Sequence, residues 1–86
     1  MLPRDNSCEL LLTALREGDA ATAFRAVHTL KGTALNLSLN GLAAACNTLT
    51  ELLRGKDEIP AEAEPLALAV SREYERAIDA LKLLDE

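Results

Sequence analysis

The chain has little of what several large classes of protein need. Its 86 residues include two aromatic side chains, Phe24 and Tyr74, no tryptophan, and a formal net charge of −5. A protein that binds duplex nucleic acid needs a large basic surface, which this composition does not provide. The apolar runs are far shorter than the roughly 18 residues of a membrane span, and no signal-peptide pattern surrounds the run ELLLTAL. We therefore expect no nucleic-acid partner and no membrane segment.

Cysteine and histidine are also scarce. Cys8 and Cys46 lie far apart without a CxxC or Cys/His cluster, and His28 is the only histidine. A disulfide framework or a zinc site needs more ligands at closer spacing. The composition predicts reduced thiols in a cytoplasmic protein and no metal site on this chain.

Leucine and alanine dominate instead, and 49% of the residues are hydrophobic, a composition that favours helices over strands. Gly18 and Gly55 supply helix stops, Asp19 is a candidate N-cap, and Pro60 or Pro65 suits a first helical turn. Short connections between amphipathic helices favour an all-α, up-down antiparallel four-helix bundle with a short first helix, formed by 1–86 as one domain. The predicted helices are 7–17, roughly 20–37, Ser38 or Asn40 to about 54, and 61 or 64 to about 84.

The second helix places His28 opposite its apolar stripe. At about 100° per residue, Ala26, Leu30 and Leu37 lie within about 20° of the direction opposite His28. An amphipathic helix turns such a stripe toward the core. The spacing therefore predicts that Leu37 is buried with the others and that His28 faces solvent.

The exposed face around His28 contains a glycine that packing does not explain. Gly32 lies one turn from His28, and glycine in a helix interior costs about 1 kcal/mol relative to alanine. Close approach by another molecule is the better interpretation of this residue. Phe24 and Leu35, on the same exposed face, are expected to form a small apolar docking patch.

A lone histidine on a helix surface is most often only a solvated residue. No second histidine or cysteine stands at metal-ligand spacing, and no nucleophile motif indicates a catalytic triad. Lys31 and Arg25, three residues to either side of His28, would by themselves be ordinary surface charge. They do lie in a positive segment, since residues 20–56 carry four bases and one acid in an otherwise acidic chain.

The segment AVHTLKGTA is more specific than any of these residues alone. It resembles the phosphorylatable histidine motif of histidine-containing phosphotransfer (HPt) domains, the shuttles of bacterial two-component phosphorelays. The flanking segments REGDAATAFRAVH and LNGLAAACNTLTELLRG are similar to the family's approach to that helix and to its next helix. The resemblance covers roughly residues 8–56, and the core of the motif is matched by His28, Lys31, Gly32, Thr33 and Ala34.

The resemblance implies a phosphorelay intermediate. His28 would accept a phosphoryl group from the aspartyl phosphate of a receiver domain and pass it on, while Lys31 and Arg25 would stabilise the phosphate. The implied partners are a response-regulator receiver domain, a hybrid sensor kinase, or both. They would dock on Phe24, Gly32 and Leu35. The receiver would supply magnesium, and this chain would need no cofactor. Because the sequence has no Gly-rich phosphate loop and no kinase motif, we expect a phosphocarrier without ATP-dependent kinase activity.

The chain departs from the family's pattern in three respects. Many members have a glycine where this chain has Ser38, and many have a small residue where it has Leu35. Members usually carry a further helix upstream, which we expect this chain to lack. It is then a truncated or divergent member, or a partner covers what that helix would cover.

Three leucines predict self-association. Leu10 lies off the main stripe of the first helix, and Leu68 and Leu83 lie off that of the last. An uncovered apolar strip on so small a domain favours a homodimer, formed through the first or last helix or by exchange of a helix between copies, with the His28 face left free. The alternative to the phosphorelay interpretation is accordingly a non-catalytic helical interaction or dimerisation module with a degenerate phosphotransfer site.

Overall fold

The computed structural model describes residues 7–85, with side chains described through residue 80. Its helices are α1 (Ser7–Glu17), α2 (Ala20–Asn36), α3 (Asn40–Leu53) and α4 (Ala63–Asp85). α2 packs against both α1 and α3, and α4 packs mainly against α3. This confirms the predicted all-α four-helix bundle.

Small side chains bring α2 close to its neighbours. Its buried face consists largely of alanine, interrupted by Val27 and Leu30, which are almost completely excluded from solvent. Leucines and a cysteine from α3 fill the space opposite, so that close helix contact is combined with dense packing. The helical spacing of Leu42, Cys46, Leu49 and Leu53 in the sequence predicts a single apolar stripe on α3, and this is confirmed because all four are buried.

The N-terminus of α2 is fixed by the predicted cap. The Asp19 carboxylate accepts hydrogen bonds from the Thr22 backbone N–H at 3.1 Å and from the Thr22 hydroxyl at 2.6 Å. The bond from the backbone N–H satisfies a helix donor that has no intrahelical partner, and both bonds hold the carboxylate at the cap. They also lower the pKa of the Asp19 carboxyl below its ordinary value. The cap sets the start of the helix that carries His28.

The other helix starts differ in part from the sequence-based expectations. α3 begins at Asn40 after Leu39, whose side chain makes no capping bond. In α4, Pro65 occupies the first turn, whereas Pro60 precedes the helix and its carbonyl accepts a bond from the Ala63 N–H. The side chains of Leu81, Leu83 and Leu84 lie outside the described residues.

The prediction that Leu37 lies in the core is wrong. Its side chain is 41% exposed, because α2 ends at Asn36 and the helical angle no longer applies at the C-cap. The chain turns at Ser38, whose φ is +60°, in the left-handed region. The Ser38 N–H bonds to the Leu35 carbonyl at 3.1 Å, and the Leu39 N–H bonds to the Ala34 carbonyl at 2.8 Å. This is a Schellman motif, a helix end that usually has glycine at the left-handed position.

The end of α1 uses the same motif with glycine. Gly18 has φ +74°, its N–H bonds to the Leu15 carbonyl, and the Asp19 N–H bonds to the Ala14 carbonyl at 2.9 Å. The two helix ends are therefore equivalent in hydrogen bonding and differ in the residue at the left-handed position. A serine there carries the steric cost that a Cβ atom imposes on this conformation.

The two cysteines are free and buried. The pKa of the Cys46 thiol is raised to about 12, mainly by burial and also by the nearby Cys8, while the positive charge of Lys31 acts in the opposite direction. A thiol with such a pKa stays protonated and unreactive near neutral pH. Cys46 is accordingly a packing residue between the helices. Among the described residues, none of the helices combines the length and the apolar character that crossing a membrane requires.

We predict that Ser38→Gly raises the free energy of unfolding by up to about 1 kcal/mol, because it relieves the left-handed strain at the end of α2. Urea denaturation followed by circular dichroism measures the change. Gly18→Ser is the reciprocal control: it introduces the same strain at the end of α1 and should lower the free energy of unfolding. A loss of stability in Ser38→Gly would contradict the assignment of strain to this residue.

Candidate functional site

His28 lies on the exposed face of α2, and its exposure confirms the prediction from the helical spacing. Ala26 and Leu30 on the opposite face are 3% and 1% exposed. The histidine therefore projects from a helix whose other side is locked into the core. A side chain in this position is held by a rigid element and remains accessible to a second protein.

Phe24 stacks on the imidazole of His28. The two ring centroids are 6.0 Å apart and the ring planes are inclined by 6°. The two residues are one turn apart, so the helix itself sets this offset arrangement. Phe24 is half-buried and packs against the core, which makes it less exposed than the expected docking patch requires. Its contact with His28 restricts the orientation of the imidazole.

Arg54 lies against the ring of Phe24. Its guanidinium carbon lies 5.6 Å from the centroid of the Phe24 ring, a cation–π distance. The same guanidinium donates hydrogen bonds of 3.0 and 2.7 Å to one carboxylate oxygen of Glu51. These bonds and the positive charge of Arg54 lower the pKa of the Glu51 carboxyl. The C-terminal end of α3 is thereby tied to the helix turn that precedes His28.

Lys31, one turn further along α2 than His28, is bound to α3 on the same flank as Phe24. Its Nζ donates a hydrogen bond of 2.8 Å to Oδ1 of Asn47, and the side chain is half-buried. Two contacts thus join α2 to α3 around the histidine, one through Phe24 and Arg54 and one through Lys31 and Asn47. They hold one flank of His28 against the neighbouring helix.

The opposite flank of His28 is open. A Cβ atom built on Gly32 has no neighbouring atom within 4 Å, so this glycine leaves a gap on the surface. Arg25 is exposed on the same flank, and its charge helps to lower the pKa of Asp19. Leu35, which is 55% exposed, lies on the exposed face beside His28. A partner can therefore approach the imidazole over Gly32 and meet both an apolar side chain and a positive charge.

Sequence reasoning did not find Asn47 or Arg54. Asn47 lies on α3 and Arg54 is the C-cap of that helix, and their contacts with α2 depend on how the two helices pack. Arg54 had a weak signal as one of the four bases between residues 20 and 56, whereas a single asparagine in a helix has none.

The described residues contain no group of His, Cys, Asp and Glu side chains arranged to hold a metal ion. The pocket next to the site is open and shallow, lined by Phe24, Arg25, Leu53 and neighbouring residues at the ends of α2 and α3. The group at this site that can react is thus one exposed imidazole, with a cation on the same helix. Such an arrangement can act as a nucleophile toward an electrophile that another molecule brings.

A rigid helical bundle that presents an accessible histidine beside a lysine has the features of a phosphotransfer module, a protein that carries a phosphoryl group without a kinase site of its own. The comparison with known families supports this class directly. The model of the Hpt domain family matches residues 5–83, and the chain belongs to that family. It is therefore a phosphotransfer module of two-component systems. No curated protein and no solved structure matches the chain.

We predict that Gly32→Ala raises the free energy of unfolding by up to about 1 kcal/mol through helix propensity, because the space around the added methyl group is empty. Gly32→Gln should also fold at least as stably as the natural chain. Thermal unfolding followed by circular dichroism measures both. Destabilisation by the alanine would mean that Gly32 serves the fold rather than the access of a partner.

Proposed function

We propose that His28 is the phosphoacceptor of this Hpt domain, and that it takes a phosphoryl group from the aspartyl phosphate of a receiver domain and passes it to another receiver. The observation that carries this proposal is the position of His28, exposed on α2 next to the gap at Gly32. A receiver domain, either a response regulator or part of a hybrid sensor kinase, has to bring its phosphorylated aspartate within bonding distance of the imidazole. The open flank gives it room to do so.

The transfer is a displacement at phosphorus. The lone pair of the unprotonated ring nitrogen of His28 attacks the phosphorus atom, and the bond from phosphorus to the aspartate oxygen breaks. The carboxylate leaves with the electron pair, and the phosphoryl group stays on the imidazole. An imidazole needs no neighbouring base for this step, in contrast to a serine hydroxyl. The receiver contributes the acidic pocket and the magnesium ion, and this chain contributes the positioned nucleophile.

Lys31 and Arg25 are proposed to stabilise the phosphoryl group by charge. An ammonium and a guanidinium group both attract phosphate oxygens, and the two residues lie to either side of His28 along α2. Leu35 and Gly32 would form the docking surface, and the stacked ring of Phe24 would hold the imidazole in its orientation. We place this activity in the cytoplasm, where receiver domains and reduced thiols occur.

We predict that the chain acquires a phosphate that is labile in acid and stable in base when it is mixed with a panel of phosphorylated, magnesium-loaded receiver domains. His28→Gln should abolish the uptake, because it removes the nucleophile and keeps a polar side chain of similar size. Its helical circular dichroism signal should be unchanged, because His28 makes no core contact. Phosphate that remains on His28→Gln would contradict the assignment.

Gly32→Gln tests the direction of approach in the same assay. The longer side chain fills the gap on the open flank and should stop transfer from receivers. It should leave phosphorylation by phosphoramidate, a donor small enough to reach the ring, almost unchanged. Normal transfer from a receiver to Gly32→Gln would rule out the proposed path over this residue.

We further propose that the chain forms a homodimer through the edge of the bundle between α1 and α4. Contact between these two helices is sparse, and a groove of about 460 Å³ runs between them. Leu68, which lines this groove, is 55% exposed and adds to its apolar surface. Arg16 and Glu64 also line the groove, and a two-fold axis can bring one against the other across two copies. The α1–α4 edge lies away from the α2–α3 contact, so His28 stays accessible.

We predict a dimer of the natural chain in sedimentation equilibrium at micromolar concentration. Leu68→Glu should dissociate it, because the substitution places a charge on the apolar surface of both copies. Ala69→Glu adds the same charge to the next residue, which is exposed and does not line the groove, and should leave the dimer intact. A monomeric natural chain would contradict the proposal.

A further inference from the structure

The hydrogen bond between Lys31 and Asn47 joins the phosphate-binding cation to a different helix. The bond spans 16 residues of sequence, runs from Nζ to Oδ1, and is 2.8 Å long. A lysine ammonium can only donate, so the oxygen of the amide must face it. The partner of this flexible four-carbon side chain is thus a fixed acceptor on α3, which reduces the number of rotamers that Lys31 populates.

The chemistry of the acceptor matters as much as its position. An ammonium group has three donors, and Asn47 uses one of them. Because the amide is neutral, it orients Lys31 without cancelling its positive charge, as a carboxylate would. Glu51, the acidic residue one turn further along α3, accepts its hydrogen bonds from Arg54, the shorter at 2.7 Å, and the charge of Lys31 contributes only a smaller part of its lowered pKa. Lys31 therefore has two donors left for other acceptors.

We infer that Asn47 is a positioning residue for phosphoryl transfer, which holds the Lys31 ammonium on the α3 flank of His28 with its full charge available to phosphate oxygens. This inference rests on the proposed role of His28. Asn47 acts through Lys31, because its side-chain oxygen accepts a hydrogen bond from that ammonium. The contact sets the position of the cation before the phosphoryl group arrives, so the Lys31 side chain loses less conformational freedom in the transfer step.

The test uses phosphoramidate as the donor, which removes any dependence on a receiver partner. A lone pair of the His28 ring attacks phosphorus, the P–N bond of phosphoramidate breaks, and its nitrogen leaves as ammonia after taking a proton from water. The rate of phosphohistidine formation is measured for the natural chain and for Asn47→Ala, Asn47→Asp and Asn47→Gln. Thr48→Ala is the matched control, because Thr48 is exposed on α3 and its hydroxyl bonds within its own helix. Circular dichroism verifies that each variant is folded.

We expect Asn47→Ala to slow phosphohistidine formation by about fivefold, the factor that corresponds to the net contribution of one typical intramolecular hydrogen bond. Asn47→Asp should be slower still, because a carboxylate pairs with Lys31 and cancels its charge. Asn47→Gln should recover part of the rate, and Thr48→Ala should equal the natural chain. A rate for Asn47→Ala equal to or above that of the natural chain would overturn the inference.

A double-mutant cycle separates positioning from a general effect on the bundle. Lys31→Ala alone should slow the reaction, and adding Asn47→Ala to it should change nothing more, because the residue through which Asn47 acts is gone. If Asn47→Ala slows the reaction by the same factor with and without Lys31, the positioning role is wrong. If the natural chain forms no phosphohistidine at all, the proposed role of His28 fails, an outcome distinct from failure of the cycle.

Discussion

The contact between α2 and α3 is the constraint on which the rest of the site depends. Alanines on α2 allow a close approach, and leucines and Cys46 on α3 fill the interface. With one face of α2 fixed in this way, the opposite face is rigid and exposed, and His28 lies at its centre. Precise presentation of a nucleophile needs such a fixed support, because loss of orientation slows transfer between two proteins.

The same contact also determines the chemistry around the histidine. α3 supplies Arg54, which lies over Phe24, and Asn47, which binds Lys31. One flank of His28 is therefore ordered by a neighbouring helix, and the other flank ends in the gap at Gly32. This asymmetry is consistent with the proposed phosphotransfer role, in which the ordered flank would hold the imidazole and the cation and the open flank would admit the partner.

Two substitutions relative to many family members have different physical consequences. Ser38 occupies a left-handed helix end with the hydrogen bonds of a Schellman motif, so it affects the stability of the end of α2. Leu35 is exposed on the face that carries His28, so in the proposed docking it would form part of the surface that a receiver meets. The first change acts on the fold and the second on recognition. A bulky leucine at the docking surface can narrow the choice of partner, since specificity depends on steric exclusion as well as attraction.

The sequence by itself determined the four helices, the cap at Asp19, the buried stripe of α3 and the outward direction of His28. All of these follow from helical periodicity and local capping, which are properties of neighbouring residues. The same periodicity failed at Leu37, because a helix end turns the chain away from the extrapolated angle. The exposure of Gly32 also follows from helical spacing, whereas the contacts of Asn47 and Arg54 come only from the tertiary structure. They depend on the position of α3 relative to α2, and no spacing within a single helix contains that information.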